Sequence, residues 1–282
     1  MPGTLYVVAT PIGNLEDVTL RALRVLREVS LIAAEDTRRT ARLLQHYSIS
    51  TRTTSLHEHN ERTKTSSLIS RLAAGESIAL VSDAGTPVIS DPGAHLVAEA
   101  HRAGLPVEPI PGPNAAIAAL SASGIADDSF LFAGFPPSRS KARQEWLAKL
   151  AAEPRTLILY EAPHRIRQTL EDMLQAFGDR DVALARELTK LHGELVVRPI
   201  SAHLGVALQE RGEYTLIVSR MPRSKASETE LPTQGQLRVE FGLLTKNSGV
   251  SRREAIRTLS QKYGVSSRDV FASLEQSKNS VE

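Results

Sequence analysis

The chain predicts an α/β architecture: two α/β domains in succession, followed by a small helical extension. Three observations carry this expectation. Short apolar runs break repeatedly into loops rich in proline and glycine, and each loop gives way to a stretch with helical periodicity, the pattern of β-loop-α units. The length of 282 residues is more than one hydrophobic core normally serves. Beyond Pro222 the composition changes to a polar linker and then to basic, amphipathic segments. The expected divisions are residues 1–115, 116–222 and 223–282.

In chain order, Thr4–Ala9 reads as a buried strand that stops at Thr10-Pro11-Ile12-Gly13-Asn14. Leu15, Leu20, Leu23, Leu26 and Val29 keep a helical period. Leu31–Ala34 is a second strand, ending in Glu35-Asp36-Thr37-Arg38-Arg39-Thr40, with a short helix to about His46. Thr51–Asn60 reads as a polar loop, and Glu61–Ala74 as a helix. Ile78–Val81 is a strand that runs into VSDAGTPVISDPG (81–93). Pro and Gly at this density continue neither strand nor helix. The loop exceeds the roughly 2–6 residues a connector needs, which favours a ligand-holding role at a strand's carboxyl end. A helix is expected from about Asp91 to Ala103, then the strand Val107–Ile110, closed by Pro111-Gly112-Pro113-Asn114.

The alanine-rich helix Ala115–Ser123 joins the two halves. Phe130–Ala133 and Arg155–Tyr160 read as strands on either side of a basic loop, GFPPSRSKAR (134–143), and a helix Gln144–Ala152. A helix begins near Pro163 and runs to about Phe177. Val182–Arg186, Leu195–Val197 and Tyr214–Ser219 are strands, with a helix near His203–Arg211. In the tail, Leu237, Phe241 and Leu244 mark one helix. Ser251-x-x-Glu254 and Ser266-x-x-Asp269 are N-terminal caps of two more. Between Gln236 and Lys278 eight Lys/Arg stand against four acids. The last two helices resemble a helix-turn-helix, and a solvated appendage is the competing reading.

Composition narrows the chemistry. With no cysteine, disulfides, thiolate metal sites and a cysteine nucleophile are excluded. A net charge of +2 carries no argument for bulk attraction to nucleic acid, and no DNA partner is expected. No apolar stretch approaches the roughly 20 residues of a membrane span. MPGTLYVVATPIGN lacks a basic region before its short apolar run, so it reads as a strand and not a signal peptide, and a cytoplasmic protein is expected. No two of the 17 glycines lie two residues apart, so the G-x-G-x-x-G dinucleotide fingerprint is absent. His57-Glu58-His59 places two imidazoles on one face of an extended segment but has no third ligand, and no metal is expected.

Seven segments together carry a resemblance: LYVVATPIGNLEDVTLRAL (5–23), EDTRRT (35–40), VSDAGTPVISDPG (81–93), PGPNAAIAALSASG (111–124), FAGFPPSRSKAR (132–143), LYEAPHRI (159–166) and ARELTKLHGE (185–194). The chain resembles the ribosomal RNA small subunit methyltransferase I family, a branch of the tetrapyrrole-methylase-like fold. The resemblance covers about residues 4–220. It implies two α/β domains of the tetrapyrrole-methylase type, S-adenosyl-L-methionine as donor, and a homodimer. The implied product is a cytidine of small-subunit rRNA near the decoding site, methylated on its 2′-oxygen. By position it implies donor contacts at Pro11, Asp83, Gly85, Thr86, Val88, Ile89, Asn114 and Ala115, and at Tyr160, Ala185 and Thr215 from the second half. The porphyrin branch of the fold has Gly-Asp-Pro where this chain has Gly85-Thr86-Pro87, which argues against a tetrapyrrole substrate.

Methyl transfer to a hydroxyl needs oxygen, methyl carbon and sulfur held close to a line, with a base to take the proton. Candidates for that base are Glu35, Asp36, Glu187 and Lys190. Asp36 also suits a helix N-cap, and Lys190 serves only if its pKa is lowered. RNA needs cations for its phosphates and planar groups for splayed bases. Arg38, Arg39, Arg139, Lys141, Arg165, Arg252 and Arg253 are the candidate cations, and Phe135 and Tyr160 the candidate stacking groups. A porphyrin-precursor methyltransferase and a non-catalytic rRNA-binding factor are the alternatives.

Overall fold

The computed structural model describes residues 1–125, 128–190, 192–220, 234–247, 250–263 and 265–276. The chain divides into two compact units, Met1–Met221 and Pro222–Glu282.

The first unit holds two five-stranded sheets. Sheet one is parallel: β1 (Leu5–Val8), β2 (Leu31–Ala34), β3 (Thr53–Ser55), β4 (Ile78–Val81) and β5 (Val107–Ile110), in the order β3-β2-β4-β1-β5. β2 and β4 are buried at every residue, as strands covered on both faces must be. Helices α1 (Leu20–Glu28), α2 (Thr37–His46), α3 (Glu61–Ala73) and α4 (Ala94–Arg102) provide the cover. Leu23, Val25 and Leu26 of α1 pack on one side of the sheet with Ile32, and Leu68, Leu72 and Leu96 pack on the other with Leu80.

Caps fix where these helices begin. Thr19 accepts the Ala22 N–H at 3.1 Å, which starts α1. The helical period seen from Leu15 therefore splits into a 3-10 turn, Leu15–Asp17, and α1. Glu61 of α3 reaches across to α4, where its Oε1 accepts the N–H groups of Gly93, His95 and Leu96 at 2.8–3.3 Å. The polar stretch Thr51–Asn60 is not all loop: Thr53–Ser55 forms the edge strand β3, whose polar side chains suit its position.

After α5 (Ala115–Ser123), sheet two is mixed: β6 (Phe130–Gly134), β7 (Thr156–Glu161), β8 (Asp181–Arg186), β9 (Glu194–Pro199) and β10 (Tyr214–Val218), in the order β6-β7-β10-β8-β9. Only the β6–β7 pairing is parallel. α6 (Ser140–Leu150) and α7 (Ile166–Phe177) pack over the core of Leu157, Leu159, Leu170 and Leu216. α6 begins four residues before the expected Gln144, so Ser140-Lys-Ala-Arg143 is helix rather than loop. Arg143 turns inward to pair with Asp172, Nε to Oδ2 at 2.7 Å, with both groups buried. α7 starts at Ile166, three residues after Pro163. The helix expected near 203–211 is the shorter α8, Ile200–Leu204.

The second unit contains α9 (Gln234–Asn247), α10 (Arg252–Tyr263) and α11 (Ser267–Gln276) around Leu237, Leu259, Val270 and Leu274. Both expected caps form: Glu254 N–H donates to Ser251 Oγ, and Asp269 N–H to Ser266 Oγ. No helix among the described residues is long and apolar enough to cross a membrane.

Candidate active site

Parallel strands deliver their following loops to one edge of a sheet, so the loops after β1, β2, β4 and β5 gather there. Two of them are stapled. Thr10 and Gly85 exchange both backbone hydrogen bonds, Thr10 N–H to Gly85 O at 2.8 Å and Gly85 N–H to Thr10 O at 3.0 Å. Gly85 sits at φ +82°, a left-handed turn that glycine adopts without strain. Thr86 Oγ1 donates to Pro113 O at 3.1 Å, which ties in the loop after β5. Val88 and Ser90 also have positive φ, 74° and 66°, a strained backbone held by these neighbours.

A reciprocal clasp joins the loops after β2 and β4. Asp83 Oδ1 accepts the Asp36 N–H at 3.0 Å, Glu35 Oε2 accepts the Asp83 N–H at 3.2 Å, and Arg39 pairs with Asp83 Oδ2 at 3.1 Å.

Residues of both sheets line a cleft of about 220 Å³. From the first half come Ile12, Glu35, Arg39, Asp83–Thr86, Ile89–Asp91, Asn114 and Ala115, and from the second Phe135, Tyr160, Ala185, Glu187, Leu188 and Glu213–Thr215. The cleft thus brings together nine of the eleven expected donor contacts: Asp83, Gly85, Thr86, Ile89, Asn114, Ala115, Tyr160, Ala185 and Thr215. Pro11 and Val88 do not line it. Ile12 takes the place of Pro11, and Val88 packs against the core of sheet one. Tyr160 Oη accepts the Ala116 N–H at 3.2 Å, and its ring meets Phe132 and Phe135 at centroid distances of 5.0 and 5.4 Å.

Of the four candidate bases, Glu35 and Glu187 face the cleft. Burial pushes the Glu35 carboxyl up, opposed by the Asp83 N–H and reinforced by the Asp83 charge. Asp36 lies outside the cleft as the N-cap of α2. Its bonds from the Arg38 side chain and backbone hold it well below the carboxylate range, unsuited to accept a proton. Lys190 also lies outside the cleft and pairs with Glu187. Glu187 adopts φ +52° and folds over Gly212, where a Cβ would meet its carboxyl at 2.6 Å.

The candidate RNA cations are dispersed. Arg39 lines the cleft, while Arg139 and Lys141 are exposed at the start of α6. Arg165 is drawn inward. It pairs at 2.5 Å with the fully buried Glu161, so it presents no free guanidinium at the surface. Arg252 pairs with Glu275 at 2.5 Å, and Arg253 is exposed on the same helix of the second unit. His57 Nε2 meets the Asn60 side-chain amide at 2.9 Å, and no group of three or more His, Asp or Glu is placed to hold a metal among the described residues.

Two cleft acids escaped the sequence reading, Asp91 and Glu213. Burial pushes the Asp91 carboxyl up to about 6, against a hydrogen bond from Ser82 and with added repulsion from Glu35, Asp83 and Glu213. An acid whose pKa rises on folding disfavours the fold once ionised. The penalty is absent below the unfolded value of 3.8, grows as pH rises to about 6, and is constant above that. Asp91→Asn is therefore expected to be more stable than the parent at pH 7, with the difference shrinking as pH falls to 4. Urea unfolding of both proteins across that range reads this, and a pH-independent difference would refute it.

Comparison with known proteins agrees with this arrangement. Residues 4–202 match the family model of the tetrapyrrole (corrin/porphyrin) methylases. The chain is 51% identical over 232 residues, 80% of its length and 82% of the relative's, to the ribosomal RNA small subunit methyltransferase I of Pseudomonas aeruginosa. It is 46% identical over 276 residues, 95% of its length and 93% of the relative's, to the protein of that name from Halalkalibacterium halodurans. The uroporphyrin-III-C-methyltransferase structure from Thermus thermophilus superposes with a TM-score of 0.56 at 22% identity, covering 76% of this chain and 94% of that one, a likeness of fold. Two sheets meeting at a cleft, the matched family model and the near-full-length relatives agree: this chain belongs to the ribosomal RNA small subunit methyltransferase I family of the tetrapyrrole methylases.

Proposed function

We propose that this chain methylates the 2′-oxygen of a cytidine in small-subunit ribosomal RNA near the decoding site, acting as a cytoplasmic homodimer. The names of its relatives support the RNA substrate. The observation that carries the reading is the cleft itself, in which loops of both sheets converge and five carboxylates face one guanidinium, that of Arg39. S-adenosylmethionine is the donor of this family and supplies a methyl carbon activated by a positive sulfur. The lining fits such a group: Glu35, Asp83, Asp91, Glu187 and Glu213 suit a sulfonium and an ammonium, and Ile12, Ile89 and Leu188 suit the apolar faces of a nucleoside.

The chain's own task is alignment. The Thr10–Gly85 staple and the Asp83 clasp fix the sheet-one wall, and Tyr160, Ala185 and Thr215 on neighbouring strands fix the other. Phe135, about half exposed against Tyr160, offers a planar face to a base. Glu35 is the proposed proton acceptor for the hydroxyl, because it faces the cleft and its proton affinity is raised. Glu187, backed by Lys190, closes the opposite side. Departure from Gly-Asp-Pro at Gly85-Thr86-Pro87 supports RNA over a tetrapyrrole substrate.

Primer extension at low nucleotide concentration tests this on small-subunit rRNA from a deletion strain and from the strain carrying the gene again. The 2′-O-methyl stop is expected to vanish and return, and Glu35→Gln is expected to restore it only weakly. A stop that persists in the deletion strain would overturn the assignment.

A further inference from the structure

Beside the cleft lies a second, shallow hollow lined by Asp36, Arg38, Arg39 and Arg42. All four belong to α2 or its N-cap. Spacings of three and four residues bring Arg38 and Arg39 onto the same helical face as Arg42. Arg38 is already forked onto Asp36, Nε to Oδ1 at 3.1 Å and Nη2 to Oδ2 at 2.8 Å. Arg39 is held by Asp83. Arg42 is exposed and has no partner among the described residues. The Arg38 N–H in the first turn of α2 is engaged by Asp36, and the groups that line the hollow with positive charge are the guanidinium groups. Three guanidinium groups around one hollow leave an excess of positive charge that one oxyanion relieves, and the planar fork of arginine matches a phosphate. Arg39 lines both the hollow and the cleft, so the two share a wall.

We propose that this hollow is a phosphodiester seat: Arg42, with Arg38 beside it, grips a backbone phosphate of the RNA neighbouring the ribose that enters the cleft. The proposal rests on the RNA reading above. Arg39 stands between the two sites, one side of it engaged by the clasp residue Asp83 and the other facing the phosphate.

The test compares Arg42→Ala, Arg42→Lys and, as a control for bulk charge, Arg24→Ala on α1, whose guanidinium pairs with Glu28 away from both sites. Steady-state methylation of small-subunit rRNA is measured across a salt series, with S-adenosylmethionine binding followed by calorimetry. Arg42→Ala should raise the KM for RNA about tenfold, as expected for one charged hydrogen-bonding contact. It should leave kcat and donor affinity near the parent values and flatten the log–log salt slope by about 0.7, the share of one phosphate on a single strand. Arg42→Lys should keep the slope and recover KM only in part, since the fork is lost. An unchanged KM and slope in Arg42→Ala would overturn the seat, and so would an equal loss in Arg24→Ala. Should the parent transfer no methyl group to RNA, the activity reading is the one that fails. The seat is then judged by filter binding of a cytidine-containing RNA oligonucleotide, where equal affinity of parent and Arg42→Ala overturns it.

Discussion

Arg143→Ala is expected to destabilise the second half of the first unit by about 3–5 kcal/mol, the effect of leaving one partner of a buried ion pair alone. Arg143 and Asp172 are almost wholly enclosed between α6 and α7. Asp172 Oδ2 accepts from Arg143 Nε at 2.7 Å and Oδ1 from Gln144 Nε2 at 2.8 Å. Removing the guanidinium strands a carboxylate with one neutral donor. The chain's single tryptophan, Trp146, packs against this same core from α6, so its fluorescence follows the unfolding of the affected region. In a unit of this size the expected loss lowers the melting temperature by roughly 6–20 °C. The double variant Arg143→Met with Asp172→Leu should recover most of it, because the stranded charge is then gone. A loss below about 1 kcal/mol for Arg143→Ala would mean that water reaches the pair.

Asp83→Ala is expected to weaken S-adenosylmethionine binding about 10- to 100-fold, on the scale of one or two charge-assisted hydrogen bonds. Asp83 serves two ends at once. Its carboxylate faces the cleft, and it also receives the Asp36 N–H and the Arg39 guanidinium, so that the loops after β2 and β4 stay in register. Asp83→Asn retains an acceptor for the Asp36 N–H but loses the charge and the oxygen that pairs with Arg39, and it should fall between parent and alanine variant. RNA affinity should drop less than donor affinity in both. Calorimetry with the donor and filter binding with RNA separate the two. Equal losses in both titrations would remove Asp83 from the donor site.

Where local chemistry decided an element, the sequence disclosed it. Four-residue runs such as Ile78–Val81 have to be strands buried on both faces. The Ser251/Glu254 and Ser266/Asp269 pairs set the starts of α10 and α11 within a residue. Where the environment decided, it did not. Thr53–Ser55 is polar and three residues long, and becomes a strand only because β2 offers an edge. Arg143 looks like one more cation in a basic run until Asp172, 29 residues on, claims it. The positive φ of Val88 and Ser90 has no sequence signature, since neither is glycine. In the cleft, residues within dense Pro/Gly motifs were readable because their composition allows nothing else. Glu213 was not: it is a single acid at the mouth of β10, and it meets the others only when the two sheets face each other. The separation of Asp36 from Glu35 was likewise invisible, because neighbours in sequence leave a strand end in different directions.

The capping contacts at the carboxyl edge of sheet one also reverse its electrical polarity. In nucleotide-binding folds this edge ends in open helix amino-termini that draw phosphates. Here Asp36 takes the Arg38 N–H of α2, Glu61 receives the N–H groups of Gly93, His95 and Leu96 at the start of α4, and the Asn114 side chain takes the Ile117 N–H of α5. With those positive poles quenched from within, the carboxylates set the field inside the cleft. A scaffold topologically suited to hold anions has become hospitable to a cation.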